Sequence, residues 1–380
     1  MYLALAILFS RLLLWQRPDR DRPARGCVHI NGAWLACGPR DESRYAAAMV
    51  KAIAAMDIWD LVVHVPAGVI RPLPQWLDCP RIEVRPARVA GSLFEQVHLP
   101  LVTAGQVLLT FAGTAPLLKR RQLVTMHEAV LFRRPAGFPR TKVLLRYLAC
   151  WWLGRTADGL ATTSLFAAHE LSDVLRIDVD RFIVTQGADT LTGVNPTRPP
   201  LAWTGAEFLV FGSSAPNMNV LSTARALTDS GRRAVVVGLA AKGRKRGTVN
   251  SSGDCVVAPQ PLTDADLAWL YRHARAAIVP SAYETLGLAP LEAQALGCPV
   301  LCSDVAALPE VCRDGALYFD PDDPETLTAQ LDRLDREPDL SDELQRRASA
   351  NSLRYSWNES ASKVVRWCRR SRSSPGVLVY

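Results

Sequence analysis

The chain has 380 residues, 49% hydrophobic and 21% charged, with 23 Gly and 26 Pro. At about 100–200 residues per domain this is length for two domains with full apolar cores, which excludes a disordered, collagen-like or low-complexity chain. The net charge is +7, and the excess lies in residues 1–200, with 24 Lys/Arg against 16 Asp/Glu; residues 201–380 hold 20 against 21.

The chain opens on MYLALAILFSRLLLW, apolar over 15 residues and interrupted by Arg11. That is short for a bilayer-spanning helix of about 20 residues. It has no basic leader or clear cleavage site, so it is a poor signal peptide. With the linker-like QRPDRDRPAR it forms an N-terminal extension, 1–26, read either as an interfacial anchor or as a spurious upstream start. From Cys27 the pattern alternates short β-rich runs with helical ones. CVHINGAWL, LVVHV, QVLLTF, QLVTM, GLATTS and RFIVTQ read as strands. SRYAAAMVKAIAAM and a Leu- and aromatic-rich segment from about Thr141 to Leu153 read as helices. Such apolar strands separated by helices predict a parallel sheet covered on both faces.

A Pro-rich break, NPTRPPLAW (Asn195 to Trp203), marks a linker, after which the alternation restarts. EFLVFG, RAVVVG, DCVVA, AAIVP, PVLCS and ALYFD are the second set of strands, and a helix is expected from about Thr263 to His273. Two helices follow, parted near Pro338, and WNESASKVVRWCRR closes the fold as a capped helix before a tail. The fold class is therefore α/β, two doubly wound domains with ligands expected at the carboxyl ends of the strands, in the cleft between them. The boundaries are an N-terminal domain at 27–195, a linker at 196–205, a C-terminal domain at 206–355, a closing helix at 356–370 and a tail at 371–380.

The densest basic run spans Lys119 to Arg146: eight cations (Lys119, Arg120, Arg121, Arg133, Arg134, Arg140, Lys142, Arg146) and one acid, Glu128. It suggests a domain facing an anionic surface, with plain solubility charge as the other reading. No nucleic-acid motif or aromatic-interleaved basic stripe accompanies it. Nine cysteines without a CxxC, and six histidines without an HExxH-like set, give no zinc ribbon, disulfide framework or redox motif. Free thiols in this number suit a reducing cytosol.

The stretch that carries chemistry is PSAYETLGLAPLEAQALGCPVLCS, Pro280 to Ser303. A buried strand ends at Pro280, a turn holds Glu284 and Gly287, and a helix starts near Leu288 and stops at Gly297. Amides at such a helix start can bind a diphosphate. Glu292, eight positions after Glu284, can point back into the cleft and accept hydrogen bonds from a diol such as a ribose. A solvated helix face is the other reading, which the apolar neighbours Leu291, Ala293 and Leu296 weaken.

Two glutamates with seven residues between them, in S-x-Y-E-x-x-G-L-x-x-L-E-A, resemble the retaining glycosyltransferases of family 4, GT-B fold. GCPVLCSDVAALPEV and DGALYFDPDDPETL continue the resemblance, as do LVTMHEAVLF…RPAGFPR, ADGLATTSLFAAHEL and FIVTQGADT upstream, over roughly residues 27–370. The resemblance implies two Rossmann-like domains, acceptor first and donor second. It gives Glu292 the nucleotide ribose and Glu284 the donor-sugar hydroxyls. The Leu286, Gly287 and Leu288 amides take the diphosphate and sugar, and His127 the acceptor side near the donor sugar. It implies a nucleotide-sugar donor, a lipid-linked or polysaccharide acceptor in bacterial surface-glycan (exopolysaccharide or O-antigen) assembly, and no metal or cofactor. Relatives similar around HEAVLF…PAGFPR often use mannose or rhamnose donors; the resemblance leans to GDP-mannose, a choice no residue derives. The implied location is cytoplasmic, peripheral at the inner face of the plasma membrane.

Two departures stand out. Where the family has a basic pair after the first strand of the second domain, this sequence has Asn217 and Met218, while Asn219 matches. Lys242 and Arg244, in a cluster with Lys245 and Arg246, are candidates to replace that charge, with a solvated loop as the other reading. The first loop, ACGPRDESRY, has one Gly in place of a Gly-rich turn, and its Arg40 or Arg44 is a candidate for phosphate. A catalytically impaired relative, acting as a binding or regulatory protein, is the alternative that the lost pair supports.

Overall fold

The computed structural model describes residues 26–373 apart from 37, 39–40, 70–71, 128, 136–137, 202, 206, 213–217, 239–254 and 259–260. The expectations for residues 1–25, Arg40, Glu128, Asn217, Lys242, Arg244 and the tail from 374 lie outside the described residues.

Two parallel sheets form the molecule. The first has strand order β3-β2-β1-β4-β5-β6-β7, from β1 (Cys27–Asn31), β2 (Asp60–Val65), β3 (Ile82–Pro86), β4 (Leu108–Thr110), β5 (Gln122–Thr125), β6 (Gly159–Thr162) and β7 (Phe182–Val184). The second runs β10-β9-β8-β11-β12-β13, from β8 (Glu207–Phe211), β9 (Arg233–Val237), β10 (Cys255–Val257), β11 (Ala276–Val279), β12 (Val300–Ser303) and β13 (Leu317–Phe319). The strand order reverses between β1 and β4, and again between β8 and β11. Those two points open crevices at the strands' carboxyl ends.

The expected strands are present, with informative differences. The first stops at Asn31, because the Asn31 side chain accepts the Ala33 amide (3.0 Å) and turns the chain into a 3-10 helix over Ala33–Ala36. β3 was not read from the sequence. IEVRP is a half-exposed edge strand, so it lacks the continuous apolar run that marks the central ones. The central strands β8, β11 and β12 are buried along their whole length, as helices on both faces require.

The helices used below are α1 (Asp41–Ala55), α2 (Ala129–Arg133), α3 (Arg140–Thr156), α4 (Leu165–Leu175), α5 (Val220–Asp229), α6 (Asp264–His273), α7 (Leu288–Ala295), α8 (Leu308–Cys312), α9 (Pro324–Arg336), α10 (Leu340–Ser352) and α11 (Trp357–Ser373). Their ends follow local rules. Ser164 caps α4 by accepting the Ala167 amide, and Thr263 and Asp266 form a reciprocal capping box on α6. The closing helix α11 runs to Ser373, three residues further than expected. It returns to the first half, where Trp357, Ala361, Val364 and Cys368 join the core of β1, β2 and α1. Gly159 permits this: a Cβ there would lie 2.4 Å from the Trp367 ring.

The eight described cysteines are free thiols. Among the described residues no helix is long and apolar enough to cross a membrane. The basic run does not act as one surface. Lys119 is buried, donating to the carbonyls of Thr103 (2.7 Å) and Gln106 (2.9 Å), and burial lowers its pKa to about 8. Arg133 pairs with Glu170 and Asp173.

Candidate functional site

The crevice after β11 is built by the turn 281–287 and by α7. Gly287 precedes α7 with φ 65°, a left-handed conformation that favours glycine, and a Cβ there would lie 3.1 Å from Val311 Cγ1. This turn directs Glu284 inward. Its Oε1 accepts the amides of Thr285 (3.1 Å), Leu286 (3.0 Å) and Gly287 (3.3 Å). Two of the three amides expected to cradle a diphosphate therefore point at the protein's own carboxylate. An anion already sits where the helix start and the turn concentrate N–H donors. Desolvation and the nearby Asp41 push the Glu284 carboxyl above its ordinary value, and the three amides oppose that.

Glu292 lies on the buried face of α7 and is 2% exposed, so the solvated-face reading fails. Across the cleft, Arg44 on α1 donates through Nη2 to Glu292 Oε1 (2.5 Å) and through Nη1 to Asp264 Oδ1 (2.7 Å). Burial pushes the Glu292 carboxyl up, with Asp41 and Asp264 adding to it and Arg44 opposing. Burial would lower the Arg44 pKa, but Glu292 and Asp264 outweigh it and hold the guanidinium charged. Arg44 thus joins the two halves at the carboxylate assigned to the ribose.

The next residue, Tyr45, connects this bridge to His127. Its ring meets the His127 ring edge-on with centroids 5.2 Å apart, and its hydroxyl lies 2.5 Å from Thr185 Oγ1. His127 follows β5, and its Nε2–H donates to the Phe111 carbonyl at 2.9 Å. Burial keeps the imidazole below its ordinary pKa; Arg146 adds to this, while Glu42 and the Phe111 carbonyl oppose. Residues 41–45 therefore touch or bias Glu284, Glu292 and His127 together.

More contacts clamp the halves around the turn. Thr163 Oγ1 and Ser164 Oγ donate to the Thr285 carbonyl (2.9 and 3.0 Å), and Gln186 donates to that of Leu286. Glu310 on α8 accepts the Leu165 (2.8 Å) and Phe166 (2.7 Å) amides at the start of α4. Tyr283 donates to Glu170 at 2.7 Å. The Leu286 and Leu288 side chains pack into the first half's core.

The donor-side departures are visible where described. Met218 accepts a hydrogen bond from Ser281 through its sulfur (3.2 Å), so an apolar side chain lies by the β11 end. Asn219 starts α5 in a left-handed conformation and donates to the Pro321 carbonyl (3.1 Å), away from the Glu284 turn. Sequence reasoning missed Asp41, Tyr45, Asp264 and Glu310. Tyr45 stood beside Arg44 in a quoted motif. Asp264 reads only as a helix-capping acid, because its partner is 220 residues away. A hollow of about 400 Å³ at Asp158, Arg181, Lys363 and Arg370 shares no lining residue with this site. Among the described residues no group of three His, Cys, Asp or Glu is placed to hold a metal ion.

Comparison with known proteins agrees with this architecture. Residues 232–352 match the family described as Glycosyl transferases group 1. The chain is 26% identical over 272 residues to O-antigen chain mannosyltransferase B of Escherichia coli, covering 64% of this chain and 69% of the relative. It is 26% identical over 273 residues to O-antigen chain mannosyltransferase RfbU of Salmonella typhimurium, covering 70% and 74%. Sucrose-phosphate synthase from Thermosynechococcus elongatus superposes with a TM-score of 0.70 at 16% identity, over 92% of this chain and all of that one. The fold is GT-B.

Proposed function

We propose that this chain is a retaining glycosyltransferase that moves a hexose from a nucleotide sugar to a lipid-linked or polysaccharide acceptor. The observation that carries the reading is a buried Glu292 at the β11 crevice, bonded across the cleft to Arg44, whose neighbour Tyr45 packs on His127, with Glu284 eight residues before it in the turn. Two O-antigen mannosyltransferases among the relatives support mannose as the sugar and surface-glycan assembly as the setting. GDP-mannose is the donor we assign. The acceptor domain is 27–195, the linker 196–205 and the donor domain 206–355, closed by the final helix.

In this reading Glu292 accepts hydrogen bonds from the nucleotide ribose and Glu284 from sugar hydroxyls. The bond from the anomeric carbon to the diphosphate breaks, and a bond to the acceptor oxygen forms on the same face. The acceptor proton passes to the leaving diphosphate, so no step calls for a metal. Positioning, and charge stabilisation of the leaving group, supply the rate. Arg44 already occupies Oε1 of Glu292, so donor binding and the interdomain bridge act on one carboxylate.

The test is thermal stability of the purified chain with GDP, UDP, dTDP, ADP and their sugars. A ligand of the native state at a hundredfold excess over its Kd adds about 2.7 kcal/mol. A shift with GDP and GDP-mannose that vanishes in Glu292→Ala supports the reading, and a shift with another nucleotide reassigns the donor. No shift with any nucleotide, in a protein that melts cooperatively, overturns it.

A further inference from the structure

Helix α3 presents an apolar stripe outward. Leu144, Leu145, Leu148, Trp151 and Trp152 are 57, 68, 49, 37 and 44% exposed. They are spaced i, i+1, i+4, i+7, i+8, which is one face of an α-helix. The opposite face is the one buried, at Cys150, Leu153 and Gly154. The stripe does not end with the helix. Trp152 Nε1 donates to the Leu117 carbonyl at 2.9 Å, bringing up Leu118, which is 86% exposed. Phe138, just before the helix, is 41% exposed. Contiguous apolar surface of this kind marks an interaction site.

The charge on this face has one sign. The α3 sequence, RTKVLLRYLACWWLGRT, has four cations and no acid. Arg140, Lys142 and Arg155 are exposed and in no ion pair among the described residues. Lys142 lies over the Phe138 ring (5.5 Å), and Arg155 lies over the Trp151 ring (4.1 Å) while donating to the Trp151, Leu175 and Arg176 carbonyls, so both cations border the apolar stripe.

We infer that this face docks on an anionic phospholipid leaflet, with the Leu and Trp side chains at the acyl boundary and the cations on the headgroups. Trp and Leu beside Arg and Lys is the composition that settles at such an interface. A second copy of the chain fits poorly, since a two-fold contact would set like cations against one another. Arg146, on the same helix, donates to Thr114 Oγ1 (3.0 Å) and the Gly113 carbonyl (3.3 Å). That loop follows β4 and begins at Phe111, whose carbonyl accepts from His127. If the transferase reading holds, the docked face thus delivers a lipid-borne acceptor beside the cleft. Vesicle binding itself needs neither donor nor acceptor.

The test is cosedimentation of the full chain with phosphatidylcholine vesicles with and without phosphatidylglycerol, combined with hydrogen exchange. Binding should require the anionic lipid, and residues 140–156 should gain protection. Leu145→Glu with Trp151→Glu should lower partitioning at least tenfold with an unchanged melt, since both side chains are exposed. Lys142→Glu should lower it roughly fivefold or more, from a cation contribution of about 1 kcal/mol. Absence of binding, or binding that leaves 140–156 unprotected and survives the double variant, overturns the proposal. So does a concentration-dependent dimer that the double variant dissociates.

Discussion

The two sheets share one strand order up to the sixth strand and carry opposite chemistry to the cleft. The second half brings carboxylates: Glu284, Glu292, Asp264 and Glu310. The first half mostly brings donors: the Arg44 guanidinium, the Thr163 and Ser164 hydroxyls and the α4 amides. The same division reaches inside the sheets. In the first half His29 Nδ1 lies 2.9 Å from His64 Nε2, both buried, and Lys119 is buried on carbonyls. The lesson is that topology fixes where crevices open, and side-chain charge fixes which partner each can hold.

The comparison breaks first at Arg44. Arg44→Ala leaves a buried Glu292 beside Asp41 and Asp264 without its cation, and should lower the unfolding free energy by about 3 kcal/mol. Arg44→Met with Glu292→Leu should recover most of that in chemical denaturation, because both charges are gone. A single variant within 0.5 kcal/mol of wild type would mean that the bridge does not join the halves.

pH should act with opposite signs on the buried histidine pair of the first half and the buried glutamates of the second crevice. Burial holds His29 at about 4 and His64 at about 3, with Arg85 acting in the same direction on both. Folded, they stay neutral below the ordinary imidazole value, so their contribution is present above about pH 6.5 and is lost as pH falls towards 4, on the order of 6 kcal/mol for the pair. Glu284 and Glu292 are pushed up, so protonation relieves them and stability rises as pH falls through their raised values. Melting from pH 7 to 4.5 should therefore decline in wild type. In His29→Leu with His64→Leu it should flatten or reverse. A decline of the same slope in that variant would place the acid sensitivity elsewhere.

The smallest effect concerns how α11 ties the second half to the first. Gly159→Ala puts a methyl 2.4 Å from Trp367, and should cost about 1–3 kcal/mol, read as a lower melting temperature. An unchanged melt would show that α11 shifts without loss.

Much of the fold was legible because its signals are local. Continuous runs such as EFLVF and AAIV name buried parallel strands, and the Pro-rich break at 195–203 lies between β7 of the first sheet and β8 of the second. The Glu284–Gly287–Glu292 turn was legible because a strand end, a glycine and a helix start lie within one short window. β3 was missed, because a half-exposed edge strand carries a weaker period. The contact that Arg44 makes was not legible, because its partner Glu292 lies 248 residues away.

What the sequence determined by itself was the alternation of strands and helices and the strand, turn and helix start that line the second crevice, since both are written in neighbouring residues. The tertiary structure alone decided that Arg44 meets Glu292, 248 residues away, and that Glu310 meets the α4 amides 144 and 145 away. It also decided the direction of α3. A Leu- and Trp-rich helix reads as core in one dimension, yet the packing of Cys150, Leu153 and Gly154 inward leaves its larger apolar face outside. Periodicity fixes which residues share a helix face, and only the neighbours brought by the rest of the chain fix which face is covered.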